Sequence, residues 1–369
     1  MNVIHLLSSG NIGGIETLCE DYAFCSSHWN CFVFLWNGGV ITDEMRQNGI
    51  NVIELHADKR NYLNAYKKVL DACNKQGADI VVAHHADPFL HYCLIQIKKD
   101  IPEIKTIAYA HSNASDMYIT RRRWLKKLKK LVLKRSLHKV DQIVAISADV
   151  KKSLISCFHI PSSKISVIYN GINISIFSLA NRERNKRLQL VYVGRLIEQK
   201  GVQITLQALA QLKDVNYQFT VVGDGPYRGK LERQAVELGI EERVEFLGSR
   251  RDVPQLLQQS GIFIHMPVWE EGFGITIIEA MASGLICICA KSGAIPEIIE
   301  DGKSGFLVAK DNADELEAKI REVMAMNDDE VQLISHQAVE RAKHFSIECF
   351  AAQLDNLIAD TCNVHSCCL

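Results

Sequence analysis

The chain has 369 residues, of which 47% are hydrophobic and 23% are charged, and its formal net charge is −1. Because domains typically hold about 100–200 residues, this length favours two of them. The near-zero charge excludes a global attraction to nucleic acid or membrane, and no run approaches the ~18 apolar residues of a membrane-spanning helix.

The cysteines and the N-terminus indicate the compartment. The twelve cysteines include no C-x-x-C pair, which argues against a zinc ribbon or a thioredoxin-type site. The first ten residues lack the basic region and the longer apolar region of a signal peptide, and they predict a β-strand instead. We therefore expect a cytoplasmic protein with reduced thiols.

In the first half, short apolar runs rich in β-formers alternate with amphipathic stretches such as Tyr62–Lys75. This alternation is typical of a parallel sheet covered by helices. A polar, basic stretch, residues 180–187, follows and predicts an interdomain linker. The predicted strands are Val3–Leu7, Cys31–Trp36, Asn51–Leu55, Asp79–His84, Thr106–His111, Gln142–Ile146 and Ile165–Tyr169.

The same alternation restarts after the linker. Helices are predicted after Gly201, Pro226, Asp252 and Gly274, with Pro226 at the first position of its helix, where a missing N–H is harmless. The chain ends mostly helical, in Leu316–Met324, Val331–Ala342 and Ile347–Ile358. The predicted strands are Leu188–Val193, Gln218–Val222, Val244–Leu247, Ile262–His265, Leu285–Cys289 and Phe306–Val308.

These elements predict an α/β protein of two doubly wound, Rossmann-like domains that face each other across a cleft. The predicted domains are residues 1–180 and 181–345, and residues 346–369 form a helix that crosses back to the first domain. Ligands of such sheets bind at the carboxyl ends of the strands.

The first candidate site follows the strand that ends at Val193. Arg195 leaves the end of this strand, and Lys200 precedes the next helix. A diphosphate suits this arrangement because Arg binds it bidentately, Lys adds a point charge and the helix N-terminus adds N–H donors. Two solvated charges around a turn would give the same pattern.

A second candidate is the segment Glu270-Glu-Gly-Phe-Gly274, which precedes the helix that contains Glu279. Gly272 and Gly274 bracket Phe273, and glycines allow a ligand to approach the backbone closely. Glu271 and Glu279 can both accept hydrogen bonds from sugar hydroxyls. Alternatively, they are ordinary acids near a helix N-terminus that stabilise its dipole. Gly223-Asp-Gly-Pro226 also fits a plain strand-to-helix turn.

These segments occur in an order that resembles the second half of the family 4 retaining glycosyltransferases, which have the two-Rossmann-domain GT-B fold. The resemblance includes the spacing of eight positions between Glu271 and Glu279, and it extends to Val167–Ile172, although Asn173 stands where the family often has Asp. The matching segments are Gly194-Arg195 with Lys200-Gly201, Gly223–Pro226, Glu271–Gly274, Glu279–Gly284, Gly293–Glu297 and Asp301–Gly305.

The resemblance implies a role for each of these residues. Arg195 and Lys200 would neutralise the diphosphate of a nucleotide-sugar donor, and Glu279 would hold the ribose hydroxyls. Glu271 would hold a sugar hydroxyl, with the amides of Gly272, Phe273 and Gly274 near the sugar and phosphate. Since the departing diphosphate must be stabilised, cations at this position also suit the chemistry. The chain has no Asp-x-Asp triplet, so we expect neither a metal nor another cofactor.

The first half matches the family less densely. Gly13 and Gly14 follow the first strand and resemble the glycine loop that packs against the donor phosphates, although the loop also suits any tight β-to-α turn. His111 ends a predicted strand where the family commonly places a histidine that faces the sugar. A lone histidine can equally be a structural residue. No carboxylate is an obvious nucleophile, so Glu271 and His111 are expected to position and polarise the substrate.

Residues 121–135 hold nine cations and no acid, and their apolar residues recur at helical spacing. Such a helix could lie on an anionic membrane surface, or its apolar stripe could pack on the sheet while the lysines are solvated. Nucleic acid is not expected, because no base-stacking or groove-reading motif is present. The apolar stripe comprises Trp124, Leu125, Leu128, Leu131 and Val132.

The sequence therefore predicts transfer of a sugar from UDP- or GDP-hexose to a glycan or lipid-linked acceptor, in bacterial surface polysaccharide synthesis. The protein would be cytoplasmic, with contact to the inner face of the membrane. Two alternatives remain open. One is a nucleotide-sugar epimerase or a phosphorylase on the same fold, and the other is a nucleotide-binding scaffold with a degenerate site.

Overall fold

The computed structural model describes residues 1–11, 13–118, 123–177 and 189–363, and for Arg123 and Trp124 it describes the backbone only. The predicted linker, Arg121, Arg122 and the cysteines at 367 and 368 lie outside the described residues. The chain divides into two compact units. Unit 1 comprises Met1–Gly171 and the segment from Ile347, and unit 2 comprises Ile172–Ser346.

Unit 1 contains a seven-stranded parallel sheet with the order β3-β2-β1-β4-β5-β6-β7. Its strands are β1 (Asn2–Ser9), β2 (Trp29–Asn37), β3 (Asn51–Glu54), β4 (Ile80–Ala83), β5 (Lys105–Ala110), β6 (Gln142–Ala145) and β7 (Ile165–Val167). Its helices are α1 (Gly14–Cys25), α2 (Val40–Gln47), α3 (Tyr62–Lys75), α4 (Pro88–Asp100), α5 (Arg123–Lys139), α6 (Ala148–Phe158) and α14 (Ile347–Asn363).

Helix α14 belongs to unit 1 and packs against α1. The carboxylate of Asp355 accepts hydrogen bonds from the Tyr22 hydroxyl at 2.6 Å and from the Ser27 backbone N–H at 2.7 Å. Several donors converge on this one acid, and such charge-assisted hydrogen bonds are roughly twice as strong as neutral ones. They anchor the end of the chain on the first helix.

Unit 2 contains a six-stranded parallel sheet with the order β10-β9-β8-β11-β12-β13. Its strands are β8 (Gln189–Val193), β9 (Gln218–Val222), β10 (Val244–Gly248), β11 (Ile262–His265), β12 (Ile286–Ala290) and β13 (Phe306–Val308). Its helices are α7 (Val202–Leu209), α8 (Arg228–Glu237), α9 (Val253–Gln259), α10 (Ile275–Ala282), α11 (Ile295–Ile298), α12 (Ala313–Ala325) and α13 (Asp328–Ala342).

The two sheets confirm the predicted α/β class and its doubly wound topology. Every residue of the central strands β4, β5, β11 and β12 is buried, as expected of parallel strands covered on both faces. In each sheet the strand order reverses at one point, between β1 and β4 in unit 1 and between β8 and β11 in unit 2. Ligands of doubly wound sheets bind at these reversal points.

One prediction of a helix start was wrong. Helix α8 begins at Arg228, so Pro226 lies in the turn before it rather than at its first position. The cause is the neighbouring loop. The N–H of Leu196 donates to the carbonyl of Asp224 at 2.9 Å, and the N–H of Tyr227 donates to the carbonyl of Leu196 at 3.0 Å. These hydrogen bonds hold residues 224–227 in a turn and delay the helix.

Candidate functional site

The cations predicted to bind a diphosphate lie at the reversal point of the unit 2 sheet. Arg195 follows the carboxyl end of β8, and Lys200 closes a short 3-10 turn before α7. Gly201 joins this turn to α7 with φ +72°, and a Cβ at this position would lie 1.5 Å from the carbonyl oxygen of Met266. Only glycine permits this approach, and it holds Lys200 close to the segment that follows β11.

Lys200 is joined to Glu271 by an ion pair. The Lys200 Nζ atom donates to Oε2 of Glu271 at 2.6 Å, and Nε2 of His265, the last residue of β11, lies 3.1 Å from the same oxygen. The Oε1 atom of Glu271 has no hydrogen-bond partner within the described part of the chain. The structure thus brings together two residues that the sequence analysis assigned to separate motifs, and it leaves one oxygen able to accept a hydroxyl.

The loop that carries Glu271 is held by a second loop. Gly293 has φ +51°, and a Cβ there would lie 2.2 Å from the carbonyl oxygen of Glu271. The same carbonyl accepts a hydrogen bond from the N–H of Ala294 at 2.9 Å, and Glu270 forms an ion pair with Lys310 at 2.7 Å. These contacts fix the backbone on which Glu271 is presented.

The electrostatics of this cluster favour a carboxylate and a neutral imidazole. Burial raises the pKa of Glu271, but the charge of Lys200 and the hydrogen bond from His265 outweigh it, so the net shift is well below the usual range. Burial lowers the pKa of His265 despite the nearby carboxylate. At neutral pH the cluster therefore holds an ionised Glu271 that already neutralises Lys200.

Arg195 is exposed, and its guanidinium forms no ion pair with any residue that the structure describes. It lines a pocket of about 260 Å³ at the ends of β8, β9 and β10. The same pocket is lined by Gly223, Asp224 and Arg250, of which Arg250 is held in a bidentate pair by Asp252 at 2.6 and 2.8 Å. Arg195 is thus available to a ligand anion.

Glu279 is the fifth residue of α10 and is half-buried. Burial alone raises the pKa of its carboxyl to about 7. Near neutral pH both protonation states of this carboxyl are therefore populated. It can accept a hydrogen bond from a hydroxyl or donate one to it. The ring of Phe273 is 3% exposed and packs edge-on against Phe345, so it belongs to the core.

In unit 1, Gly13 caps α1, and Gly14 is its first residue. His111 follows β5 directly, and its Nε2 atom lies 3.4 Å from Nδ1 of His84. Burial, together with nearby His85, lowers the pKa of His111 well below its ordinary value, so the imidazole is neutral.

The sequence analysis did not single out His265 or Arg250. The only available signal was position, since His265 ends a predicted strand and Arg250 follows one. Histidine and arginine at strand ends are common, and their contacts with Glu271 and Asp252 depend on the path of the loops. No pattern of residue spacing records such a path.

Comparison with known proteins gives consistent matches along the chain. Residues 26–176 match the family model described as Glycosyltransferase Family 4, and residues 175–341 match that of Glycosyl transferases group 1. The uncharacterized glycosyltransferase MJ1178 of Methanocaldococcus jannaschii is 30% identical over 297 residues, which cover 78% of this chain and 76% of that protein.

Two further relatives differ in how much they share. The putative colanic acid biosynthesis glycosyltransferase WcaL of Salmonella typhimurium is 27% identical, and the match spans 54% of this chain and about half, 52%, of that protein. Anabaena HepE, whose crystal structure in complex with UDP-glucose is known, is 23% identical in sequence to this chain. It matches this fold with a TM-score of 0.83 over 98% of this chain and 100% of that chain.

Proposed function

Because the chain belongs to the group 1 glycosyltransferases of the family 4 type and is an enzyme of that class, we propose that it transfers a hexose from a UDP- or GDP-sugar with retention of configuration. The acceptor is a glycan or a lipid-linked sugar in bacterial surface polysaccharide synthesis. The observation that supports this proposal most strongly is the pairing of Lys200 and His265 with Glu271 at the reversal point of the sheet. Arg195 follows β8 at the same reversal point and has no ion pair among the described residues.

The chemistry of the donor explains why cations lie there. Transfer breaks the bond between the anomeric carbon and the β-phosphate oxygen, so negative charge grows on the departing diphosphate. In the proposal, Arg195 and Lys200 stabilise that charge through hydrogen bonds, and the start of α7 adds backbone N–H donors. No metal cofactor is included, because the two cations supply the positive charge.

The remaining donor contacts follow from the geometry of unit 2. Oε1 of Glu271, which has no hydrogen-bond partner among the described residues, accepts a hydrogen bond from a sugar hydroxyl. Glu279 binds the ribose hydroxyls through a carboxyl that can donate or accept. The backbone of Gly272, Phe273 and Gly274 lies next to Glu271 in the chain and provides amides near the phosphate. From unit 1, Gly13, Gly14 and His111 are proposed as further residues that contact the donor.

The sources of support differ in weight. Anabaena HepE binds UDP-glucose, which favours a uridine donor, and WcaL is named for colanic acid biosynthesis, which favours a polysaccharide product. The cluster in unit 2 contains the ion pair of Lys200 with Glu271 and the contact of His265 with the same carboxylate. These charged and polar groups favour an active enzyme over a scaffold with a degenerate site.

A thermal-shift screen of nucleotide sugars tests the proposal. A ligand that binds only the native state raises stability, by about 2.7 kcal/mol at a hundred times its dissociation constant. We expect one nucleotide sugar to raise the melting temperature of the wild type and to leave an Arg195→Ala, Lys200→Ala variant unchanged. A screen in which no UDP- or GDP-sugar shifts the melting temperature would contradict the proposal.

Helix α5 supports a second part of the proposal, contact with an anionic membrane surface. It packs into unit 1 through Leu133 and Leu137, which are fully buried, whereas Leu128 and Leu131 are 51% and 62% exposed. These two leucines of the predicted apolar stripe therefore do not pack on the sheet. No helix in the described ranges is long and apolar enough to span a bilayer.

A groove beside α5 extends this apolar surface. Its volume is about 540 Å³, and it is lined by Tyr62, Phe89, Tyr92, Leu125, Leu128 and Val132, with Lys129 in its wall. Exposed lysines flank it, among them Lys126 and Lys127. Apolar side chains surrounded by cations suit the interface of an anionic bilayer.

Liposome flotation tests this contact. Each lysine near an anionic surface is worth about 1 kcal/mol, so replacing Lys126, Lys127, Lys129 and Lys130 with Gln should lower partitioning by up to about a thousandfold. The control is a variant in which the same charge is removed elsewhere, with Lys67, Lys75, Lys230 and Arg233 replaced by Gln. Equal binding of both variants, or binding that ignores the fraction of anionic lipid, would defeat the idea.

A further inference from the structure

A line of four polar side chains crosses the buried face of the unit 1 sheet. Oδ1 of Asn30 lies 2.9 Å from Nε2 of His5, and Nδ1 of His5 lies 2.9 Å from Nε2 of His84. Nδ1 of His84 lies 3.4 Å from Nε2 of His111. Asn30, His5 and His84 are 8%, 0% and 2% exposed, so water does not replace the two hydrogen bonds that His5 makes.

The amide at one end of the line gives it a direction. Nδ2 of Asn30 donates to the carbonyl oxygen of His28 at 3.0 Å, so Oδ1 is the atom that faces His5. A carbonyl oxygen only accepts, and Nε2 of His5 must therefore carry the proton. The side-chain amide thus sets the tautomer of the first imidazole.

The same rule passes along the line because each ring is neutral. Burial lowers the pKa of His5 to about 4, and burial lowers the pKa values of His84 and His111 well below their ordinary value. A neutral imidazole with a proton on Nε2 offers Nδ1 as an acceptor. His84 therefore donates from Nε2 to His5, and His111 donates from Nε2 to His84.

We propose that Asn30, His5 and His84 are positioning residues that hold His111 as its Nε2–H tautomer, so that its Nδ1 atom accepts a hydrogen bond from a substrate hydroxyl. This inference rests on the proposed function, in which His111 contacts the sugar. Its tautomer is a property of the free protein, and it can be measured without substrate.

Two observations support the proposal. First, stacking fixes the planes of the rings: His5 stacks on Phe32 at 4.7 Å, and Tyr109 stacks on both His84 and His111 at 5.3 and 4.3 Å. Second, Nδ1 of His111 is buried and has no hydrogen-bond partner among the described residues. An unsatisfied buried acceptor destabilises the free protein, and a hydroxyl that donates to it removes that cost.

Nitrogen-15 NMR of the full-length protein labelled at histidine tests the proposal directly. Two-bond correlations between ring protons and nitrogens distinguish the two tautomers, and loss of signals in a His111→Phe variant assigns the ring. We expect His5, His84 and His111 all to be neutral and protonated on Nε2 at pH 7.5. A proton on Nδ1 of His111 would overturn the proposal whatever the activity.

Variants at the far end of the line separate positioning from folding. Asn30→Leu keeps the shape but removes the acceptor, so His111 should show a mixture of tautomers, and kcat/KM should fall severalfold with the fraction that keeps Nδ1 as an acceptor. A protonated carboxyl in Asn30→Asp can still donate to the carbonyl oxygen of His28 while its other oxygen accepts from His5, so this variant should restore both the tautomer and most of kcat/KM. If Asn30→Leu leaves His111 protonated on Nε2, or if Asn30→Asp rescues neither readout, the proposal is wrong. If the wild type binds no nucleotide sugar, that result would instead contradict the proposed function.

Discussion

Arg195→Ala should reduce turnover of the nucleotide sugar by about 10²–10³-fold. This is the usual effect of removing one hydrogen-bond donor that stabilises negative charge in the transition state. The physical reason is that Arg195 lies at the end of β8 without an ion pair among the described residues, so its charge is available to the departing diphosphate. Arg195→Lys should recover only part of the activity, because an ammonium does not replace a bidentate guanidinium. Release of nucleoside diphosphate measures the effect.

Arg233→Ala is the matched control for this prediction. Arg233 is an exposed arginine of α8 in the same unit that does not line the pocket of Arg195, so its replacement removes the same charge outside that pocket. Both variants should melt within a few degrees of the wild type. Near-normal turnover by a folded Arg195→Ala protein would show that the donor site is assigned wrongly.

The second prediction separates binding from catalysis at Glu271. Glu271→Gln keeps the shape of the side chain but removes the charge that neutralises Lys200 across 2.6 Å. The freed ammonium should bind the diphosphate at least as tightly as before, while turnover falls about 10²-fold or more because the sugar loses a charged acceptor. Calorimetric titration with the nucleoside diphosphate and a turnover assay together measure this split. A parallel loss of affinity and turnover would contradict it.

Lys200→Ala should behave differently, because it leaves Glu271 buried and without its cation. Breaking a buried pair by removing one partner costs about 3–5 kcal/mol at neutral pH. In the wild type Lys200 holds the pKa of Glu271 well below its usual range, so the pair keeps its full contribution down to the unfolded pKa of a glutamate, about 4.3. In the variant, burial without the cation raises the pKa of Glu271, so protonation of the carboxyl relieves the cost as the pH falls. The gap in melting temperature between wild type and variant should therefore narrow as the pH is lowered from 7.5 to 4.5. Lys200→Arg should keep most of the stability.

Local patterns in the sequence predicted much of the fold. Helix α3 spans Tyr62–Lys75 as predicted, and strands β9 and β11 have their predicted bounds. These elements have clear periodicity and strong punctuation, so local propensity and tertiary packing agree. The predicted start of α8 was wrong because Leu196, about 30 residues earlier in the chain, makes hydrogen bonds to Asp224 and Tyr227 that hold Pro226 in a turn.

The candidate site was predictable only in part. Arg195, Lys200 and Glu271 lie in segments that join the end of a strand to the next helix, where the chain order alone places ligand contacts, and Glu279 lies in the helix that follows Glu271. The link between Glu271 and His265 depends on how a loop of five residues turns back, which spacing does not encode. The line from Asn30 to His111 depends on the strand order β2-β1-β4-β5, in which residues of four separate segments become neighbours.

The surface of α5 was also only partly predictable. The sequence showed an apolar stripe among cations, but Leu133 and Leu137 provide the face that packs, while Leu128 and Leu131 remain exposed. A helix with apolar residues on more than one side can bury either of them. Which face packs is decided by the neighbouring α4, against which α5 lies.

The central claim is that this chain transfers a sugar from a nucleoside diphosphate donor bound by the cations of unit 2. The most direct measurement is proton NMR of the protein with the nucleotide sugar that stabilises it, in the absence of acceptor. We predict slow release of the nucleoside diphosphate and of a sugar whose anomeric configuration is that of the donor, and release about 10²–10³-fold slower by Arg195→Ala. A stabilising nucleotide sugar that stays intact, or a released sugar with inverted configuration, would contradict the account.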